Sequence, residues 1–444
     1  MLTGWGRTSP TSAMTLAVSD EADVVAAVAA QAERPTRGIL ARGLGRSYGD
    51  SAQDGGGVVL DMTGLSGVTR TQSRVRAQAG ASLDALLRRF VPEGYFVPVT
   101  PGTRFVTVGG AIAADIHGKN HHVEGSFGTH VRSLALVTGT ADAITAGPGE
   151  RSEEFWATVG GMGLTGVITE AEFDLLPIET SRMRVDTERF DDLETLMAAM
   201  AEGDHRYRYS VAWVDSLSAT GRGVLTRGDH AALADLSSRV GDPLAYDPRP
   251  RLAAPAWMPT GLLNRASVRA FNEAWFRKAP RRRTGEIQSI PAFFHPLDGV
   301  RHWNRVYGRA GFLQYQFVVP DHAGELVGQA LQRLRAAGAP SFLTVLKRFG
   351  DGNAAPLSFP RAGWTLAADV PAGIAGLGDV LDGLDAAVVA AGGRHYLAKD
   401  SRMSAATLAS GYPRLAEWQA VRARLDPRGV FRSDQARRLG LAVG

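Results

Sequence analysis

Two glycine-rich stretches hold residues whose types and spacing could do chemistry. The first is Ala41-Arg42-Gly43-Leu44-Gly45-Arg46-Ser47-Tyr48-Gly49-Asp50, and it follows a short apolar run that reads as a strand. Positions without side chains let backbone N–H groups close on a phosphate. Ser47 and the arginines add donors. Taken alone, the same composition also makes a tight turn. The second stretch runs from Pro101-Gly102-Thr103-Arg104 to Thr107-Val108-Gly109-Gly110-Ala111-Ile112-Ala113-Ala114-Asp115-Ile116-His117-Gly118. Its small residues fit either close contact with a ligand or close packing of a helix on a sheet. Two such loops could grip the two phosphates of one dinucleotide.

A third stretch, Gly161-Met162-Gly163-Leu164-Thr165-Gly166, matches G-x-G-x-x-G. A nicotinamide-binding turn would open into a helix. Here the β-branched Val167-Ile168-Thr169 follows, so the segment reads as a turn before a strand. His117 and His121 have the i, i+4 spacing of a metal pair. Gly118 breaks a helix between them and no glutamate intervenes, so no metal site is expected. Gln314 and Gln316 alternate with Tyr315 and Phe317 and therefore share one face of a strand. Two amides on an apolar strand need hydrogen-bond partners, which a sugar or solvent would supply.

Short strands and helices alternate in the elements that must position these loops. Ser19-Asp20-Glu21 opens a helix through about Ala32, with Ser19 as its cap. Gly38–Ala41, Gly57–Asp61, Val75–Ala79, Leu134–Val137 and Val167–Thr169 read as strands, and Ser82 caps another helix. From about Glu179 the texture changes. Helical stripes appear at Leu326–Leu334 and Leu381–Val389. Strands are expected at Tyr209–Val214, Phe312–Val319, Ser341–Leu346 and Trp364–Val370. The fold class is therefore α+β, with a second unit built on an antiparallel sheet with helices on one face.

Composition narrows the function. The chain has 444 residues and a net charge of only +4, which does not point to nucleic acid. It has no cysteine, which excludes disulfides, thiolate metal sites and cysteine nucleophiles. No charge-free apolar run reaches the ~18 residues of a spanning helix, and Met1–Ser19 lacks the pattern of a signal peptide. One segment stands out. Between 257 and 283, Trp257, Phe271, Trp275 and Phe276 accompany Arg265, Arg269, Arg277, Lys278, Arg281, Arg282 and Arg283 against a single acid, Glu273. Aromatic groups beside such a basic cluster suit an anionic membrane surface, or a solvated loop over core aromatics.

ARGLGRSYGD, PGTRFVTVGGAIAADIHGKNHH, GSFGTHVRS, FWATVGGMGLTG, GFLQYQFV, APLSFP, LAKDSR and RGVFRSDQARRL occur in this order. Together they resemble the decaprenylphosphoryl-β-D-ribose 2′-oxidase family, flavoproteins of the vanillyl-alcohol-oxidase superfamily, over nearly the whole chain. The resemblance implies a two-part FAD domain, 1–180 and 394–444, around a substrate domain at 181–393. It carries FAD contacts onto Ala41, Arg42, Gly43, Leu44, Gly45, Arg46, Ser47, Tyr48, Gly49, Asp50 and Ser51. A second group is Gly102, Thr107, Val108, Gly109 and Gly110, and a third is Ala114, Asp115, Ile116, His117, Ile168 and Tyr396. Superfamily relatives often attach FAD through a histidine. Arg46 stands at the matching place, which implies non-covalent FAD.

The same resemblance makes Lys399 the catalytic residue; from its sequence alone it would be a surface lysine paired with Asp400. It implies substrate contacts at Tyr48, His117, Trp213, Gln314, Gln316, Lys347, Thr365 and Ala367. The family usually has a cysteine where Ala367 stands, the attachment point of covalent nitroaromatic inhibitors, and a longer amide where Thr365 stands. The implied reaction oxidises the ribose 2′-hydroxyl of a polyprenyl-phosphate ribose, and a partner reductase then gives the arabinose epimer for cell-wall arabinan. A peripheral membrane location at the cell envelope follows. The alternatives are a soluble FAD-dependent sugar or alditol oxidase and a catalytically silent flavin- or nucleic-acid-binding protein.

Overall fold

The computed structural model describes residues 1–33, 37–237 and 241–441. Three sheets organise the part that positions the glycine loops and the part that faces them. Met14–Ala17, Val58–Asp61 and Ile39–Arg42 form a parallel sheet with Val58–Asp61 in the middle. The helix Glu21–Glu33 makes the crossover that parallel strands require. Its cap is Asp20, not Ser19: Asp20 accepts from the Asp23 N–H at 2.9 Å, while Ser19 donates to the Asp23 carboxylate. Asp20 stands three residues before an N–H that needs a partner, which makes it the natural acceptor.

A second sheet is antiparallel, in the order Val68–Thr71, Arg74–Gln78, Val167–Asp174, Val131–Val137, Ala143–Ala146. Its buried side chains Val75, Ala77, Leu134, Leu136, Ala171 and Phe173 pack with Leu83, Leu86, Leu87, Ala111 and Ile112. Those come from the helices Leu83–Phe90 and Val108–Ala113, and Ser82 caps the first by accepting from the Ala85 N–H. Gly161–Gly166 leads into the strand Val167–Asp174 rather than into a helix.

The third sheet has eight antiparallel strands. Arg282–Ser289 forms one edge. Arg182–Phe190, Gly223–His230, Tyr209–Val214, Thr344–Phe349, Gly363–Pro371 and Phe312–Val319 follow, and Arg394–His395 forms the other edge. One face carries Leu225, Phe317, Leu346 and Leu366 against the helices Leu193–Gly203, Glu325–Ala336 and Leu377–Ala390. The other face turns toward the glycine loops. The strand expected at Ser341 begins at Thr344 instead, because the Ser341 N–H is spent on the Ser216 hydroxyl at 3.1 Å and not on the ladder.

The chain returns through the helices Ala405–Gly411, Leu415–Leu425 and Asp434–Leu439. Arg394–His395 still pairs with Phe317 and Val318, so the eight-stranded sheet extends past residue 393. The return is clamped by charge. Asp50 accepts from Nη2 and Nε of Arg438 at 2.7 and 3.0 Å, so this carboxylate, expected to touch cofactor, ties the chain's end to the first loop instead.

Asp115 departs from expectation in the same way. It is fully buried and accepts four hydrogen bonds, at Oδ2 from the Ser126 hydroxyl at 2.8 Å, the Asn353 amide at 2.8 Å and the Ser358 hydroxyl at 2.5 Å, and at Oδ1 from the Gly128 N–H at 2.9 Å. It joins the loop after the second glycine stretch to the segment leading into Gly363–Pro371 and is spent on holding the fold. Asp115→Ala would leave several buried donors unpaired and should cost about 3 kcal/mol in urea denaturation; a loss under about 0.5 kcal/mol would show that the clip carries no strain of this kind.

Candidate active site

A cavity of about 690 Å³ lies between the glycine loops and the free face of the eight-stranded sheet. The two loops meet at one wall: a Cβ on Gly43 would fall 2.1 Å from Thr107 Oγ1. In the first loop the backbone N–H groups of Leu44, Gly45, Arg46 and Ser47 donate to no acceptor among the described residues. Those of Gly102 and Thr103 are likewise free. Val108 and Gly109 differ from expectation. Their N–H groups turn inward to the Ala81 and Ala79 carbonyls at 2.9 and 2.8 Å, and Gly110 donates to Thr107 Oγ1. The cradle therefore consists of Leu44–Ser47 with Gly102–Thr103. Gly109 lines the cavity and packs closely on the preceding segment, where a Cβ would press on Ala79 Cβ at 2.9 Å.

Orphaned polar atoms mark the same wall. The guanidinium carbon of Arg46 lies 3.9 Å from the Trp5 ring centroid, and its buried Nε has no partner among the described residues. The buried Ser51 hydroxyl also has none. Free amides, an unpartnered guanidinium nitrogen and a free hydroxyl suit a polar, anionic cofactor such as FAD, and the residues present fit it. Ala41, Arg42, Gly43, Leu44, Gly45, Arg46, Ser47, Tyr48, Ser51, Gly102, Thr107, Gly109, Gly110, Ala114, Ile116, His117, Ile168 and Tyr396 line the cavity. Gly49, Asp50, Val108 and Asp115 do not. Gly49 packs on the Asp400 carbonyl, where a Cβ would meet it at 2.0 Å, and Val108 is wholly buried under its helix.

The sheet side brings the remaining expected residues together. Trp213, Gln314, Gln316, Lys347, Ala367 and Lys399 all line the cavity. Lys399 does not pair with Asp400, whose Oδ2 is held by Arg438 at 2.8 Å. Its ammonium instead sits 3.7 Å over the Tyr48 ring. Burial pulls its pKa down to about 7, and Asp369 opposes. Asp369 was not foreseen. It is fully buried behind Gln314, whose amide donates both to Asp369 Oδ1 and to the Tyr48 hydroxyl at 3.2 Å. Its other oxygen has no partner, and burial raises its pKa. The sequence signal was its place two residues from Ala367 on one strand, hence on one face.

His117 and Lys347 form a second cluster. The Thr365 hydroxyl donates to the Phe317 carbonyl at 2.8 Å, so it accepts from the Gln316 amide nitrogen at 3.2 Å. That fixes the amide, and its nitrogen also faces His117 Nε2 at 3.1 Å. Nε2 is then the acceptor, Nδ1 carries the proton, and Nδ1 faces Lys347 Nζ at 3.1 Å. Every partner is satisfied only if the Lys347 amine is neutral. Desolvation acts in that direction: it lowers the Lys347 pKa to about 7 and, with the neighbouring lysines, holds His117 well below its usual range. Thr365 is buried beside Gln316 on the same face of the sheet as Lys347 and Ala367, orients the amide and does not itself line the cavity.

Lys119, next to the expected His117, was also missed. It lines the cavity, donates to the Phe293 carbonyl and sits 4.1 Å over the Phe293 ring, with its pKa lowered to about 7 by burial. His121 packs on Phe349 at 4.4 Å, and no group of three metal-ligating side chains forms among the described residues. The 257–283 segment contains the helix Arg265–Lys278, capped by Asn264. Trp257, Phe271 and Trp275 on it and before it are exposed, and Trp275 and Lys278 also reach the cavity.

Comparison with known proteins agrees with this geometry. Residues 12–147 match the FAD binding domain family, and residues 380–439 match the D-arabinono-1,4-lactone oxidase family. The chain is thus an FAD-dependent oxidoreductase of the vanillyl-alcohol-oxidase type. It is 47% identical to a decaprenylphosphoryl-beta-D-ribose oxidase of Mycolicibacterium smegmatis, over 99% of this chain and 97% of the relative. It belongs to that oxidase family. An alditol oxidase of a Streptomyces species is 28% identical over 92% of this chain and 91% of its own length. Cytokinin dehydrogenase 9 of Oryza sativa subsp. japonica is 31% identical over 36% of this chain and 32% of its own.

The neutral amines give the pocket a pH signature. A lysine with a pKa near 7 is cationic below that pH and neutral above it, so an anion bound above neutrality must take up a proton with it. In the flavin-loaded protein, sulfate affinity should fall as pH rises from 7 to 9, by up to about tenfold per pH unit for each lysine that is recharged. Lys347→Met should flatten that slope. Calorimetry in two buffers of different ionisation heat checks it; pH-independent affinity without proton uptake would reject the neutral amines.

Proposed function

We propose that this oxidoreductase oxidises the ribose 2′-hydroxyl of a polyprenylphosphoryl-β-D-ribose to the 2′-ketone, with FAD held non-covalently. The observation that carries the reading is the convergence of Lys399, Gln314, Gln316 and His117 on one end of a cavity whose other wall is the flavin cradle. The printed name of the 47% identical relative supplies the substrate class. Arg46, beside Trp5, has no nucleophilic atom that could hold a flavin covalently. When bound, FAD supplies the two-electron acceptor.

A secondary alcohol becomes a ketone when its C–H bond gives up a hydride and its O–H bond a proton, with the C–O bond becoming double. The hydride goes to the cofactor, and the proton needs a base within hydrogen-bond reach. Lys399, kept partly neutral by its surroundings, is that base, and the two glutamines hold the sugar hydroxyls. The ketone then needs a separate reductase to complete epimerisation to the arabinose donor. Lys399→Ala should leave the protein yellow while slowing anaerobic flavin bleaching by polyprenylphosphoryl ribose at least about 100-fold. Wild-type-like bleaching rejects the assignment. Equal turnover of a free alditol would favour the alditol-oxidase reading instead.

No helix among the described residues is long and apolar enough to cross a membrane. A lipid-linked substrate would therefore be met at the bilayer surface. The helix Arg265–Lys278 offers Phe271 and Trp275 stacked at 6.0 Å and 44% and 43% exposed, with Arg281, Arg282 and Arg283 just beyond. The protein should co-sediment with liposomes rich in anionic lipid, and replacing all three arginines by alanine should remove most of that binding at physiological salt. Binding that ignores the three charges rejects this face as the contact.

A further inference from the structure

The cavity does not stop at the sugar end. It crosses the free face of the eight-stranded sheet at right angles to the strands, from Phe312–Val319 to the edge strand Arg282–Ser289. Six inter-strand steps of about 4.8 Å make it about 29 Å long. Its floor changes character along the way. Gln314, Gln316 and Lys347 give way to Val345, Val211, Trp213 and Val224, then to Thr226 and Thr187, and finally to Gln288, Glu286 and Arg283. The roof over the middle is Phe293 from the helix Ile290–Phe294 and Trp275 from the helix Arg265–Lys278. That second helix is pinned in place: Asn272 donates to Asp215 at 2.7 Å, and Arg222 bridges Asp215 and Glu273 at 2.9 and 2.6 Å.

We propose that this trough holds the first isoprene units of the substrate's lipid tail. The inference rests on the reading of the substrate as a prenylphosphoryl sugar. Up to its outer edge the floor is made of central strands whose backbone groups are paired on both sides, so a peptide laid across it would find no ladder to join. A hydrocarbon chain asks for no hydrogen bonds and gains by leaving water. A free sugar would have no use for the length. Lys119, over Phe293, stands where the polar end meets the apolar middle, as a phosphate between sugar and chain requires. At the outer end, Trp275 faces the trough on one side and solvent on the other, beside Phe271. The path from the exposed aromatic face to the polar end is continuous.

A ladder of prenyl phosphates without sugar tests this on the flavin-loaded wild-type protein. Dimethylallyl, geranyl, farnesyl and geranylgeranyl phosphate are titrated against tryptophan fluorescence. Affinity should rise at least tenfold from the one-unit to the three-unit chain. Thr226→Phe, which narrows the middle, should reduce the ratio of farnesyl to dimethylallyl affinity at least tenfold, and Thr187→Phe should do so for geranylgeranyl. Equal affinity along the ladder, or variants that weaken all chains alike, overturns the trough. Flavin bleaching by polyprenylphosphoryl ribose alongside a flat ladder sinks the trough and leaves the proposed reaction standing. A steep ladder without bleaching keeps the trough and sinks the reaction.

Discussion

The strict alternation of side chains along a β-strand is the constraint on which the rest of the molecule depends. In Phe312–Val319, Tyr315 and Phe317 enter the core under the helices, and Gln314 and Gln316 enter the cavity. A register slip of one residue would exchange the two sets. It would bury two amides among leucines and put two aromatic rings on the cavity wall. The neighbouring strand Gly363–Pro371 locks the register through eight paired positions, and is itself held on its other side by Thr344–Phe349 through six. The helices Glu325–Ala336 and Leu377–Ala390 thus act on the chemistry from a distance. By filling one side of the sheet they decide what the other side presents.

That presented face is hostile to charge, and the cavity uses the hostility. Three lysines and a histidine lie within one enclosure that offers few carboxylates. Burial therefore lowers all four pKa values in the same direction. An amine normally spent as a surface cation becomes a base near neutral pH. Asp369 is the counterweight, behind the cavity wall and close enough to oppose the loss of charge on Lys399. Gln314 couples that carboxylate to Tyr48 and so to the ring under the Lys399 ammonium. The polar end is one connected unit, and changing any member changes the proton affinity of the rest.

Much of this was legible in residue order, for reasons that differ by element. Period-two alternation revealed that Gln314 and Gln316 share a face, because it needs only a strand. The cap at Ser82 was legible because an N-cap bond spans three residues. The first glycine loop announced its free amides through composition. The second loop misled: Val108 and Gly109 look equally suited to a phosphate, yet their amides are claimed by Ala81 and Ala79, which belong to the preceding strand region. The roles of Asp50 and Asp115 were hidden because their partners lie far away in sequence, at Arg438, Asn353 and Ser358. Asp369 and Lys119 were missed because burial, which gives them their character, is a property of the assembled fold.

The two positions where this chain departs from its family's pattern have distinct physical consequences. Thr365 keeps a function, although a short one. Its hydroxyl is anchored on the Phe317 carbonyl and orients Gln316, which in turn sets the tautomer of His117. A longer amide at that place would have to reach past Gln316 to do the same work. Ala367 lies opposite Gln316 in the register and forms bare floor. Its methyl group is the smallest side chain that lines the cavity beside Gln316. Position 367 thus shapes the cavity by leaving space beside Gln316, whereas position 365 acts on it through the amide that its hydroxyl orients.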